Sequence, residues 1–242
     1  MIRIFIGYDR NVSVAYNVLQ SSIIQRSSQP VSITPICLSH IKSIFDRPLD
    51  PLQSTEFSFS RFLVPYLSNY DGWSIFMDND MLLLDDIAKL WDLRDSRYSV
   101  QVVKHKHEAE EGLKFLNKVQ TSYKMKNWTS VMIFNNEKCR SLTLDYVNRA
   151  SGLELHQFHW LKNPEAEIGD IPSEWNYLVG VNPKTGKPKN VHFTLGGPFF
   201  NEFRDIEFSS EWFQARECMN SCSQKSESYD RNNKNSGAEL NV

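Results

Sequence analysis

The chain has 242 residues, 40% of them hydrophobic and 12% aromatic, with 27 Lys and Arg against 29 Asp and Glu for a formal net charge of −2. That length and apolar content suffice for one large core and exclude disorder along the whole chain. The charge balance lacks the basic excess that nonspecific nucleic-acid binding draws on, and no apolar run approaches an export-signal core or the roughly 20 residues of a membrane span. No nucleic-acid partner and no transmembrane segment are therefore expected, and the expected location is the cytoplasm.

In chain order, Ile2 to Tyr8 is short, β-branched and aromatic and stops at Asp9, which reads as a buried first strand delivering a polar loop. Val12, Ala15, Tyr16, Leu19 and Ile23 then recur at helical spacing with Asn11 as the cap, and Val31 to Leu38 reads as a second strand whose Pro35 suits an edge. Strand, helix and strand in this order predict a right-handed parallel unit. Phe59, Phe62, Leu63, Tyr66 and Leu67 mark a further helix, kinked or restarted at Pro65, and Trp73 to Met77 a central strand. Strands are also predicted at 98–103 and 129–134, and helices at 109–119, 138–149 and 202–216. The loop 182–190, with two prolines and three lysines, is expected to be exposed. These elements predict an α/β fold in one domain over residues 1–220. Residues 221–242, rich in Ser, Asn, Lys and Glu, cannot offset their ordering entropy and are predicted to form a disordered tail. Cys37, Cys139, Cys218 and Cys222 match no zinc or redox spacing and are expected to be reduced.

The strongest local signal is Asp78-Asn79-Asp80 at the end of the central strand. Two carboxylates one residue apart can converge on a hard cation such as Mg²⁺ or Mn²⁺. Taken alone the triplet reads as a solvated turn, but Ile75 to Met77 before it and Met81 to Leu84 after it place it near a core and favour a metal role. It is not a calcium loop of the helix-loop-helix kind, because Leu82 and Leu83 stand where a polar ligand and a glycine are needed. An alternative is a phosphohydrolase site of the haloacid-dehalogenase type with Asp78 as nucleophile; Leu82 breaks that pattern too. There is no dinucleotide fingerprint, phosphate loop or Gly-x-Ser-x-Gly elbow. His107-Glu108 lacks the second histidine of a metalloprotease helix, His105 with His107 reads equally as a surface pair, and His156 with His159 as one face of a half-buried helix.

Residues 57 to 91, FSFSRFLVPYLSNYDGWSIFMDNDMLLLDDIAKLW, resemble the signature region of glycosyltransferase family 8 and its bacterial and phage relatives. There a helix bearing an arginine precedes a strand ending in Asp-x-Asp. The opening IFIGYDRNVSVAYNVLQSSI, then WTSVMIFN, LHQFHWL with PSEWNYLVG, and VHFTLGGPFF follow the family in order, so the resemblance spans about residues 2 to 200. It implies the GT-A fold, a Rossmann-like α/β nucleotide-sugar transferase domain with a mixed central sheet flanked by helices, and Mn²⁺ or Mg²⁺ holding the donor diphosphate. Carried over, Asp78, Asp80 and His192 are the metal ligands. Gly7, Tyr8 and Asp9 touch the base and ribose, Arg61, Asn79, Gly196 and Gly197 join them on the donor, and Gln157 lies beside the reacting anomeric carbon, sharing with Asp80 the catalytic role.

Two departures stand out. His156 occupies the place of the aspartate that many family members have before the glutamine, and Gly197-Pro198-Phe199 replaces Lys-Pro-Trp, leaving Lys104 or the lysines of 184–189 to neutralise departing phosphate. The resulting expectation is a metal-dependent transferase moving a sugar from a UDP-sugar, with retention, to a glycan, lipid or protein acceptor. A nucleotide- or carbohydrate-binding protein without turnover is the remaining alternative.

Overall fold

The computed structural model describes residues 1–48, 53, 55–105, 125–184 and 186–221, together with the backbone of 113–114 and 118–119. Strand β1 (Ile2–Gly7) leads through a 3-10 turn at Arg10–Val12 into helix α1 (Ser13–Arg26) and returns as β2 (Val31–Ile36), parallel to β1 with Ile2 opposite Val31. The cap before this turn is Asp9 rather than Asn11: its carboxylate accepts the Asn11 N–H at 2.9 Å, while Val12 in front of α1 has no capping side chain. A 3-10 turn at Ser60–Leu63 passes into α2 (Val64–Leu67), with Pro65 in the first turn, where its missing N–H has no partner to lose.

Next come β3 (Trp73–Met77), β4 (Met81–Leu83), α3 (Ile87–Trp91), β5 (Val100–Val102), β6 (Leu113–Lys114), β7 (Lys118–Val119) and β8 (Val131–Asn135). The chain continues with α4 (Leu144–Arg149), α5 (Gly152–His156), α6 (Pro164–Glu167), β9 (Ile168–Asp170), β10 (Tyr177–Leu178), β11 (Asn190–His192) and α7 (Ser209–Asn220). Six strands form the main sheet in the order β2-β1-β3-β8-β5-β9, in which β8 alone runs against its neighbours, and β2 with Pro35 is an edge as expected. A second sheet has the order β10-β11-β4.

The period of two along each strand divides the core. Ile2, Ile4 and Ile6, with Ile75, Met77, Val131 and Ile133, face α1 residues such as Leu19 and Ile23. Phe5, Phe76, Met132 and Phe134 point the other way, against Phe57, Phe62 and the segment from Val147 to Leu161. A third cluster of Leu82, Val191, Phe193, Val18, Trp212 and Ala215 fastens the small sheet to α1 and α7. This is the mixed α/β architecture anticipated.

Several helices differ from expectation. At 113–114 and 118–119 the backbone forms an antiparallel pair instead of a helix, because the ladder bonds between Leu113 and Val119 use groups a helix would need; the rest of 109–119 lies outside the described residues. Only the second half of 138–149 is helical, since the buried Cys139 thiol donates to the Ser99 carbonyl and Thr143 starts α4 by accepting the Tyr146 N–H. Phe208 in the left-handed region interrupts 202–216, so α7 begins at Ser209 and runs to Asn220. His156 and His159 do not share a helix face: α5 ends at His156, and Phe158 turns the chain with φ +59°. Cys37, Cys139 and Cys218 are free thiols, as expected; Cys222 and, beyond Ser221, the predicted tail lie outside the described residues. Among the described residues no helix is long and apolar enough to cross a membrane.

Candidate metal centre and adjoining cavity

Asp78-Asn79-Asp80 is the crossing point between the two sheets. The chain leaves the main sheet at Met77, bends through the triplet and enters the small sheet at Met81. Antiparallel pairing of β4 with β11 sets His192 opposite Met81, and the Phe193 N–H bonds the Asp80 carbonyl at 2.9 Å. One ladder thus brings together residues more than a hundred positions apart. His192 Nε2 lies 3.2 Å from Asp80 Oδ1, and one ligand atom each from Asp78, Asp80 and His192 falls within 4.8 Å of the other two. Two carboxylate oxygens and an imidazole nitrogen at this separation fit a divalent cation such as Mn²⁺ or Mg²⁺. The His192 ring is held from behind: its Nδ1 meets Asn176 Oδ1 at 2.9 Å.

Arg61 is buried beside this group. Its Nη1 lies 2.8 Å from Asp78 Oδ1 and donates to the Thr129 carbonyl at 2.9 Å, while its guanidinium stands 5.2 Å and 5.1 Å over the Phe57 and Phe76 rings. Burial pushes the Asp78 carboxyl above the usual carboxylate range. The Arg61 cation opposes that rise, the Asp80 charge adds to it, and His192 and a bond from Ser130 lower it again. Arg61 is therefore the fixed counter-charge that lets a second acidic group sit in this site. Asn79 is also buried, with Nδ2 making no hydrogen bond to the described residues.

Where the parallel strands β1 and β2 end, β1 being the sheet neighbour of β3, a cavity of about 510 Å³ is lined by Tyr8, Arg10, Tyr16, Cys37, Ser39 and Glu56. Loops at the carboxyl ends of parallel strands are where α/β sheets bind ligands. Tyr8 packs edge-on against Tyr16, with ring centres 5.4 Å apart. Gly7 packs against the Phe57 ring: a Cβ there would come within 2.3 Å of it. Asp9 is largely occupied by backbone donors of other residues: Oδ1 takes the Asn11 N–H and Oδ2 the Glu56 N–H at 3.2 Å. Glu56 pairs with Arg10 at 2.7 Å. Neither Glu56 nor Cys37 was given a place in the site by the sequence, because their neighbours are fixed only by the fold.

Gln157 is the half-buried C-cap of α5, where its N–H bonds the Leu153 carbonyl. Its neighbour His156 is tied to the metal group through Thr129: Nδ1 meets Thr129 Oγ1 at 2.8 Å, and the Thr129 carbonyl accepts from Arg61. The Phe59 and Phe62 rings pack edge-on against the imidazole. Gly196 holds φ +132° with the Phe203 ring where a Cβ would lie, and Phe199 packs likewise over Gly197. Lys104 donates to the Ile168 carbonyl at 2.9 Å and pairs with Asp170, and Lys189 pairs with Glu174; Lys184 and Lys187 are exposed. His105 is buried and takes no part in the Asp78, Asp80 and His192 group; His107 lies outside the described residues. Asn176 and Thr129 are further residues of the site to which sequence reasoning gave no role.

No family model matches the chain. Among solved structures, apo WbbM, a bifunctional glycosyltransferase, superposes with a TM-score of 0.60 at 14% identity over 89% of this chain, which spans about half of that one (49%). The galactosyltransferase LgtC, solved with donor and acceptor sugar analogues, gives a TM-score of 0.58 at 10% identity over 92% of this chain and 98% of that one. These likenesses show a GT-A glycosyltransferase fold. In sequence, Protein CDI of Arabidopsis thaliana is 44% identical over 227 residues, 90% of this chain and 87% of that protein. With most of both chains aligned at that identity, this protein belongs to the family of Protein CDI, built on a GT-A glycosyltransferase fold.

Proposed function

We propose that this protein is a glycosyltransferase of the family 8 type that uses Mn²⁺ or Mg²⁺ to move a sugar from a UDP-sugar to a hydroxyl acceptor, with retention at the anomeric carbon. The observation that carries the proposal is the Asp78, Asp80 and His192 group at the sheet crossing, at the end of β3, whose sheet neighbour β1 ends at a cavity. In this reading Tyr8 stacks on the base, Asp9 shapes the loop that receives the ribose, and Asn79 with the backbone at Gly196 and Gly197 borders the donor. Arg61 holds Asp78 in place and balances its charge. A divalent ion bound by the triad supplies electrostatic stabilisation to the departing diphosphate.

The acceptor oxygen forms its bond to the anomeric carbon on the face from which the diphosphate leaves, and the hydroxyl proton departs on a phosphate oxygen. Gln157 orients the sugar, since no carboxylate is assigned as a covalent nucleophile. A screen of nucleotide sugars with and without Mn²⁺, following released UDP, tests the proposal. Metal-dependent release from one UDP-sugar supports it. Binding of UDP with Mn²⁺ but no release from any donor would favour a nucleotide-binding protein without turnover.

A further inference from the structure

Asn176 and His192 meet inside the protein, with relative exposures of 0% and 2%. The Asn176 amide has a fixed orientation. Its Nδ2 donates to the Asn127 carbonyl at 3.2 Å, which leaves Oδ1 to face His192 Nδ1 at 2.9 Å. Turning the amide over would set its oxygen against the Asn127 carbonyl oxygen and break the bond. An amide oxygen only accepts, so the imidazole nitrogen facing it must carry a proton. In the neutral ring the lone pair then belongs to Nε2, the atom 3.2 Å from Asp80 Oδ1. Two lone-pair atoms this close repel each other unless a proton or a metal cation lies between them.

On the metal-dependent reading of the site given above, we infer that Asn176 is a positioning residue that fixes His192 in the tautomer with Nε2 free to bind the cation. It does so from the 3-10 turn Ser173–Asn176, just before β10, whose parallel register with β11 sets Leu178 beside His192. The Asn127 backbone, next to Thr129 and its Arg61 contact, holds the other side of the amide. Partners that orient a metal-binding imidazole typically matter by about 10–100-fold in metal affinity.

The test uses the full chain and Mn²⁺ alone. In the metal-free protein at alkaline pH, ¹⁵N NMR of His192 is expected to show the proton on Nδ1. Asn176→Leu, close in size but without the amide, is expected to lose that preference and to bind Mn²⁺ about 10–100-fold more weakly by electron paramagnetic resonance titration. Asn176→Asp keeps an oxygen for Nδ1 but sets its other oxygen against the Asn127 carbonyl, so it is expected to retain the tautomer at a cost in folding stability. A wild-type ring with its proton on Nε2 overturns the inference whether or not the leucine variant folds, as does a folded Asn176→Leu that binds Mn²⁺ like the wild type. A protein that shows the Nδ1–H tautomer and the Mn²⁺ loss on substitution, yet releases no UDP from any donor, leaves the role of Asn176 standing and defeats the transferase reading alone.

Discussion

Replacing Arg61 by Met removes the counter-charge of Asp78 while keeping a long apolar side chain between Phe57 and Phe76. The side chains of this pair are 6% and 11% exposed and 2.8 Å apart, so Asp78 would be left as an unpaired buried carboxylate beside Asp80. Breaking a buried pair from one side costs about 3–5 kcal/mol. The sign of its pH dependence follows from the raised carboxyl. An acid whose value is raised in the folded state binds a proton there that the unfolded chain has already released. Stability therefore falls as pH rises from the unfolded value through the folded one. Without Arg61 the folded value climbs further, and each unit corresponds to about 1.4 kcal/mol. Urea unfolding in the presence of a chelator should show a larger deficit against wild type near about pH 8 than near about pH 5. Adding Asp78→Asn to Arg61→Met should recover much of the loss, because no unpaired charge remains. A deficit equal at both pH values, or a double variant no more stable than Arg61→Met, would refute the reasoning.

Gly7→Ala places a Cβ within 2.3 Å of the fully buried Phe57 ring and should lower stability by about 1–3 kcal/mol by overpacking, read as a fall in urea midpoint; an unchanged midpoint would show that the ring has room to move. Tyr8→Ala removes a ring from the cavity wall and should raise KM for the donor more than it lowers kcat, since stacking acts on ground and transition states alike. Unchanged KM would remove this cavity from the donor site.

Much of the frame is legible in the residues because burial imposes a period. Ile2, Ile4 and Ile6 alternating around Phe5, and Ile75 and Met77 around Phe76, announce strands with two buried faces. The helices were harder to place where one side chain decided the boundary. Phe208 at positive φ divides a continuous helical pattern, and the Cys139 thiol bonded to Ser99 delays α4. At the site, the Asp78-Asn79-Asp80 signal is local, but its meeting with His192 depends on the pairing of β4 with β11, which the family likeness anticipated and periodicity could not. Asn176 was visible within PSEWNYLVG as part of a motif, yet its role depends on two hydrogen bonds to segments far apart in the chain. The cap bond of Asp9 is local, but the second use of its carboxylate, accepting the Glu56 N–H, depends on a loop far along the chain.

The central claim is that Asp78, Asp80 and His192 hold the ion on which turnover depends. The most direct measurement is UDP release from a UDP-sugar across a Mn²⁺ titration, comparing wild type with Asp80→Asn. That exchange keeps size and removes one formal charge from the group. The account predicts release that vanishes with chelator and returns with Mn²⁺ in the wild type, and a loss on the order of a hundredfold or more in the variant even at saturating metal. Undiminished release in chelator, or an Asp80→Asn protein that turns over like the wild type, would contradict it.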